Sequence, residues 1–404
     1  LVGSDDLAQA GGSYYLYIDK LTDNKLDQIK WTFGESMNHT LGGPEIAYYA
    51  NLDAVWEKAK KFDIGVDMTL FDHWNITIDY FYDKRYDIFM ERQSWPNSLG
   101  YGKAKPWGNV GKMDNKGVEF SLNYHKNFSK DLGASFQANL TYNKNKLVYK
   151  DEPDYPTIWK SETGKPYSRL TGYISEGLFQ SQEEIDNSPE QMVGNSTPKV
   201  GDIKYRDLNG DGVISPGKKT ADDPGDMEII GNSEPRYNYG LNLNASWNGF
   251  DVSAFFQGIG RRDWYPSANA DKFWGPYSRP YFSFTPKNFN DLVWTPENPD
   301  AYFPLLRGYT ALNSGGCLRD PNDKYIQNIG YLRLKNLVIG YTLPDRWMKK
   351  VFVQHCRLYV SGENLLTWTP FVTDYIDPEQ PVADSNGRSY PMSKTFSVGL
   401  DITF

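Results

Sequence analysis

The stretch DLNGDGVIS has the spacing of a hard-cation loop. Asp207, Asn209 and Asp211 fall at its first, third and fifth places, Gly212 at the sharp turn, and Val213 would add a backbone carbonyl. Such an ion needs several oxygens converging on one point, and this run supplies them. The set is incomplete, because Lys218 stands where a bidentate Glu belongs, and Asp222, Asp223 or Asp226 would have to substitute. The same residues also make a tight Asx and glycine turn with no ion. The cofactor expected of this loop is structural calcium, ahead of magnesium. No organic cofactor is expected.

Ligand recognition is written in two aromatic loops. GRRDWYPSANADKFWGPYSRPYFSF carries Trp264, Tyr265, Phe273, Trp274, Tyr277, Tyr281 and Phe282, with Arg261, Arg262, Asp263, Asp271 and Arg279 between them. LVWTPENPDAYFPLLRGY adds Trp294, Tyr302, Phe303 and Arg307. Flat rings pack on the C–H faces of sugars while charged neighbours bond the hydroxyls. Trp264, Tyr265, Trp274, Tyr277, Arg279 and Trp294 are therefore the expected ligand contacts. Two other uses stay open, a closed loop's own small core and a seat for a protein partner.

Covalent chemistry finds no such support. The four histidines (His39, His73, His125, His355) lack metal-ligand spacing, and no phosphate loop or nucleophile elbow is evident. A glycosidase pair such as Glu176 with Asp251 can be drawn, but nothing places it at a working distance. The chain is read as no enzyme, with no catalytic residues.

The elements that must carry these loops are strands. The 404 residues suffice for two ordinary domains or one large β architecture. Mean hydropathy is −0.63 although aromatics make up 15% of the chain. No run of 18 apolar residues exists, which excludes a transmembrane helix but not a membrane barrel, whose strands need about ten alternating residues each. A net charge of −8 argues against nucleic acid. Two cysteines, Cys317 and Cys356, are too few for a disulfide framework. The opening LVGSDDLAQAGGS lacks the features of a secretory signal, so any such signal is expected upstream.

Period-2 alternation recurs along the chain. Phe62, Ile64, Val66, Met68 and Leu70 share one side of KFDIGVDMTLFD. NITIDYFYDKRYDIFM, GVEFSLNYHKNF and ASFQANLTYNKN repeat the pattern, and PYSRLTGYISEGLFQ does so weakly. RYNYGLNLNASWNGFDVSAFFQGIG reads as a hairpin turning at Asn248 and Gly249. GYLRLKNLVIGYTLP slips phase, which predicts a bulge near Asn336. CRLYVSGENLLTW and the closing SKTFSVGLDITF, ending on Phe404, bring the count to about ten. PEIAYYANLDAVWEKAKKFD and SQEEIDNSPEQM are the two short helix candidates. Short turns alternate with long loops near 147–166, 181–235, 261–326 and 369–393, as in outer-membrane barrels. A soluble β-sandwich explains the alternation but not the one-sided loop lengths. Aromatics at the ends of apolar rows (Tyr80, Tyr124, Tyr142, Tyr237, Trp247) match an interfacial girdle.

Several of these stretches resemble SusC-like TonB-dependent transporters, outer-membrane nutrient importers of the Bacteroidetes. They are WEKAKKFDIGVDMTLFDHWNITIDYFYDKRYDI, GDIKYRDLNGDGVIS, IIGNSEPRYNYGLNLNASWNGFDVSAFFQGIG, YLRLKNLVIGYTLP and LYVSGENLLTW, in the family's order from about residue 44 to Phe404. The resemblance implies an all-β fold, an antiparallel transmembrane β-barrel with long extracellular loops. Residues 1–404 would then be the carboxy-terminal part of a 22-stranded barrel, with plug and earlier strands outside this chain. It implies an outer-membrane location and TonB-dependent uptake of glycans, or less often peptides, beneath a SusD-like surface lipoprotein. The other implied partners are TonB through the amino-terminal part, the rest of the barrel, and outer-membrane lipid. A surface carbohydrate-binding β protein without transport is the alternative.

Overall fold

A computed structural model of the chain describes residues 17–22, 30–42, 45–95, 106–153, 160–194, 197–218, 223–278, 284–307, 309–312, 316–348, 353–381 and 389–404. Nine strands make one large sheet. They are β1 Lys58–Leu70, β2 Trp74–Glu91, β3 Trp107–Asn127, β4 Leu132–Tyr149, β5 Tyr237–Trp247, β6 Phe250–Ile259, β7 Tyr331–Thr342, β8 His355–Trp368 and β9 Thr395–Thr403. Their order across the sheet is their order in the chain. The pairs from β4 to β9 are antiparallel.

Nine replaces the expected count of about ten for a local reason. The weak strand splits into Arg169–Tyr173 and Ser175–Leu178, which pair with Met227–Asn232 and Ile203–Tyr205 outside the large sheet. Tyr173 and Leu178 are buried there among loop residues, which offers them more apolar contact than a barrel wall would. The first helix candidate holds the strand Glu45–Tyr48 and the start of β1 instead of a helix. The second forms Gln182–Asp186, where Ser181 accepts the Glu184 N–H at 3.1 Å as an N-cap.

Turn chemistry follows the sequence. Asn248 and Gly249 both have positive φ (47° and 88°), the twist a two-residue hairpin needs between β5 and β6. The phase slip in β7 falls where expected. Phe255 pairs with Asn336 and Phe256 with Leu334, leaving Lys335 as the extra residue. One bulge therefore keeps Leu332 and Leu334 on the same face as Leu337, Ile339 and Tyr341.

The chain divides into two compact units. The first comprises Leu1–Asp63, Phe81–Lys116 and Asn145–Tyr167. Here Asn109 fixes three backbone groups, donating to the Val55 and Asp87 carbonyls and accepting the Val55 N–H. Arg92 and Ser94 converge on the buried Asp151 at 2.6 and 2.7 Å. The Glu152 carboxylate takes the Glu162 and Thr163 amides and the Ser161 hydroxyl.

The second unit comprises Ile64–Tyr80, Gly117–Lys144 and Ser168–Phe404. Its sheet has two chemically distinct faces. Leu241, Phe256, Leu334 and Leu366 lie in one row across four strands, and Val252, Ile339, Val360 and Val398 in another. Most of this apolar face is bare, with Val398 83%, Phe396 76% and Leu400 55% exposed, while Leu334 keeps 7%. On the opposite face Arg357 grips Asp251 through two bonds of 2.9 and 2.5 Å. The pair lies across Gly340, where a Cβ would stand 2.5 Å from the Asp251 oxygen.

Aromatic pairs mark both ends of the bare face. Trp74 with Tyr124 (4.4 Å) and Phe250 with Tyr341 (4.5 Å) lie at the short turns, and Tyr142 with Tyr237 (5.0 Å) at the long-loop end. From Trp247 to Tyr237 the strand runs about 33 Å. At the usual tilt this is about 25 Å of height, the thickness of an outer-membrane apolar band. The main hydrophobic core lies entirely in the long connections, from Tyr173 to Ile376, and contains no residue of the bare face.

Candidate functional site

The long loops close over an aromatic centre whose hub is Phe303. Phe273, Trp274, Tyr277, Phe289, Tyr302 and Tyr325 all surround it with ring centroids between 4.8 and 6.0 Å. Short helices at Asp271–Trp274, Gly275–Tyr277 and Phe289–Leu292 aim these rings inward. A two-residue strand pair joins Asp263–Trp264 to Gln327–Asn328. Edge-to-face packing of this kind adds to simple area burial.

Most polar handles in the centre have a partner, the buried Gln327 Oε1 and Tyr173 hydroxyl being exceptions among the described residues. The Trp274 indole N–H donates to the Pro266 carbonyl at 3.2 Å, and the Tyr277 hydroxyl to the Pro304 carbonyl. Tyr325 donates to the Tyr302 carbonyl at 3.0 Å, and Gln327 to the Tyr302 hydroxyl at 2.9 Å. Asn322 donates to the hydroxyls of Tyr265 and Tyr205 at 3.1 and 3.3 Å. Burial holds these phenols protonated, with Tyr302 pushed up to about 12 and Tyr265 and Tyr277 further. Burial, helped by Asp202, likewise raises the Cys317 thiol to about 12, so it is no nucleophile.

The expected ligand residues are thus distributed in a definite way. Trp264, Trp274, Tyr277 and Trp294 are buried, and Tyr265 is packed against the same core. They serve the second of the three uses, the loops' own core, and turn no open face outward in this structure. Arg279 lies outside the described residues, as do Tyr281 and Phe282. Trp294 sits on Gly201, whose φ is +89° and where a Cβ would meet the indole at 2.3 Å.

Other residues were not singled out by spacing. Asp202, fully buried, binds Arg307 at 2.6 Å across more than a hundred residues of chain. No local signal marks such a pair. The open aromatics are also elsewhere. Phe284 and Tyr375 meet edge-on at 4.6 Å with 37% and 41% of their surface exposed. Tyr390 is 84% exposed, and Gln380 donates to its carbonyl. Trp264 contacts Phe371 at 5.8 Å and so anchors the segment that presents Tyr375. Arg333–Asp377 (2.7 Å) and Lys335–Glu379 (2.9 Å) strap the same segment to β7.

In the loop from Asp207 to Val213 the carboxylates turn onto backbone amides. Asp207 accepts Gly210 and Gly212 N–H at 2.6 and 2.9 Å, Asn209 accepts Asp211 N–H, and Asp211 accepts Val213 N–H. Burial acts to raise the Asp207 pKa, but the Gly212 and Gly210 amides outweigh it and hold it below the ordinary range. The buried Asp226 closes the loop through Leu208 and Ser215 N–H. No cluster of three or more metal-type side chains is found among the described residues. These bonds close the turn without requiring an ion.

Fold and sequence point the same way. A family model described as TonB dependent receptor-like, beta-barrel, matches residues 10–365. The chain belongs to the TonB-dependent receptor β-barrel family. Among the relatives of this TonB-dependent receptor chain is TonB-dependent receptor P3 of Formosa agariphila, 29% identical over 90% of this chain and 36% of that protein. TonB-dependent receptor SusC of Bacteroides thetaiotaomicron is 24% identical over 97% of this chain and 36% of its own length. The RagAB peptide importer in its open-open state superposes with a TM-score of 0.65 at 22% identity, covering 97% of this chain and 38% of that one. The chain thus spans little more than a third of these proteins and matches their barrel part. The bare apolar face is the membrane face of an outer-membrane β-barrel. No helix among the described residues is long and apolar enough to cross a membrane.

Proposed function

We propose that this chain forms part of the wall and the outer loops of a SusC-like importer that takes up glycans, or alternatively peptides, in a TonB-dependent manner. A SusD-like lipoprotein would cover the loops, and the plug, TonB contact and remaining strands would come from residues beyond this chain. The observation that carries the reading is the division of apolar surface. The strands leave theirs bare, whereas the loops at one end bury theirs in a core of their own. Lipid satisfies the first, and a fixed outer platform follows from the second. Transport needs no covalent step, and no catalytic residue is assigned.

Ligand contact is assigned to Phe284, Tyr375 and Tyr390 at the rim. Trp264, Tyr265, Trp274, Tyr277 and Trp294 hold that rim from below. Arg279 keeps its proposed contact role from its place in the same loop. The test is binding of oligosaccharide and peptide libraries to the full-length receptor with its lipoprotein in detergent. Phe284→Ala with Tyr375→Ala should weaken the retained ligand about tenfold or more without altering the barrel. Unchanged binding would remove the rim assignment. Peptide retention with no glycan retention would decide for the alternative cargo.

Calcium at Asp207, Asn209, Asp211 and Val213 is proposed from their spacing alone, as a structural ion tightening a closed turn. Titration with calcium, against Asp207→Ala and Asp211→Ala, decides it. Equal responses of all three proteins would leave an amide-closed turn.

A further inference from the structure

Arg333 is a buried cation whose counter-ions come from a loop. On the polar face of β7 it pairs with Gln257 of β6 and Thr367 of β8, so the ladder fixes it from both sides. Its Nε donates to the Thr367 hydroxyl at 2.9 Å, which leaves the two outer nitrogens for the loop. Nη2 bonds Asp377 at 2.7 Å, and Nη1 faces Glu379 at 2.8 Å. The bulge residue Lys335 brings its ammonium to 2.8 Å from the same Glu379 oxygen. The pair Asp251 with Arg357 differs, because it joins strand to strand.

Asp377 makes two kinds of bond at once. One oxygen takes Arg333, and the other accepts the Glu379 N–H at 3.0 Å. Its carbonyl accepts the Gln380 N–H, also at 3.0 Å. Asp377 therefore shapes the local turn and ties that turn to the wall. Glu379 holds by charge, because its oxygen nearest Arg333 takes no aligned hydrogen bond. On the other side Phe371 and Ile376 are buried in the aromatic core. Tyr375 lies directly before Ile376 and Asp377, and its N–H donates to the Thr373 hydroxyl at 3.2 Å.

A buried guanidinium without its carboxylate is costly, so Asp377 must follow wherever β7 holds Arg333. The rigid wall thereby sets the place of an exposed ring two residues away. A contact ring fixed before binding spares the ordering cost that a ring on a loose loop pays. We propose that Arg333 is a positioning residue for ligand binding, acting through Asp377 on Tyr375. The inference rests on the rim reading above and adds the group that presents its central ring.

The experiment uses the full-length receptor with its lipoprotein in detergent. The probe is the oligosaccharide or peptide that the unmutated receptor retains from the libraries. Hydrogen exchange reports the clamp without any ligand, and the gel shift between boiled and unboiled samples checks the barrel in every variant. Arg333→Gln and Asp377→Asn should each speed exchange of the Tyr375, Glu379 and Gln380 amides about tenfold. The Trp274 and Trp294 amides, bonded to Ala270 and Phe303 within the core, should keep their rates. Glu379→Gln should do less, about threefold, because it holds by charge alone. Retention of the probe should fall about tenfold in Arg333→Gln and in Tyr375→Ala, and no further in the double variant. Glu183→Gln, which removes an exposed carboxylate from another loop, should change neither readout. Unchanged exchange in both Arg333→Gln and Asp377→Asn would overturn the clamp. Losses that add in full in the double variant would place the effect of Arg333 elsewhere and end the positioning role. Full retention in Tyr375→Ala would instead overturn the rim reading on which the inference rests.

Discussion

At the residue scale, the loops behave like the interior of a small soluble domain. Trp274 has no exposed surface and contacts four other rings. Trp274→Ala should therefore cost about 3–5 kcal/mol of loop stability. Limited proteolysis should show faster cleavage between residues 260 and 330 while the heat-dependent gel shift persists. Equal cleavage rates would mean that the rings do not hold the loops. Glu152 offers a pH test. Burial acts to raise its pKa, but the Thr163 and Glu162 amides and the Thr163 and Ser161 hydroxyls hold it below the ordinary range. A depressed acid contributes stability above its unfolded value, about 4.3, and loses it as pH falls through the lower folded value. The protection of the Glu162 and Thr163 amides, taken relative to the intrinsic exchange rate at each pH, should thus stay high at about pH 5 and be lost as pH falls through the lowered folded value. Glu152→Gln should flatten that dependence, and a preserved profile would exclude the carboxylate as its source. Residue types made Trp264, Trp274 and Tyr277 visible as important in sequence. Their inward direction depends on partners such as Phe303 and Tyr325, dozens of residues away, which spacing does not encode.

At the element scale, alternation was sufficient to find the wall. A one-residue slip exchanges the two faces of a strand, so a row facing lipid fixes register strongly. The bulge at Lys335 was legible for that reason, since Leu334 and Leu337 cannot both face lipid without it. Deleting Lys335 should move Tyr331, Leu332, Arg333 and Leu334 to the wrong faces. It would set Arg333 toward lipid, at about 2–4 kcal/mol near the midplane, and sever its bond to Asp377. Assembled receptor in the outer membrane should then drop severalfold on immunoblots of unboiled samples, and normal levels would show that the bulge is dispensable. The misread elements were those with weak or mixed periodicity. Residues 169–178 alternate, yet Gly177 has a φ of 115° and Tyr173 pairs with Met227 in a loop hairpin. Residues 45–60 hold charged groups at helical intervals, but Glu45–Tyr48 and the residues from Lys58 pair as strands, with a turn and irregular backbone between them.

At the scale of the whole molecule, the wall is a meander in which each strand pairs only with its neighbours in the chain. Its last strand presents Phe396, Val398, Leu400 and Ile402 on one exposed row, with Phe404 also exposed. Val398→Asp with Leu400→Asp on this row should reduce insertion of the intact receptor into the outer membrane, measured as the heat-shifted fraction. Full insertion would show that the row does not face lipid. Because the main hydrophobic core resides in the connections, two separate packing problems are solved on one polypeptide. The ribs answer to the bilayer, and the canopy answers to its own interlocked rings. A substitution inside the canopy can therefore be absorbed there and leave the staves beneath in place.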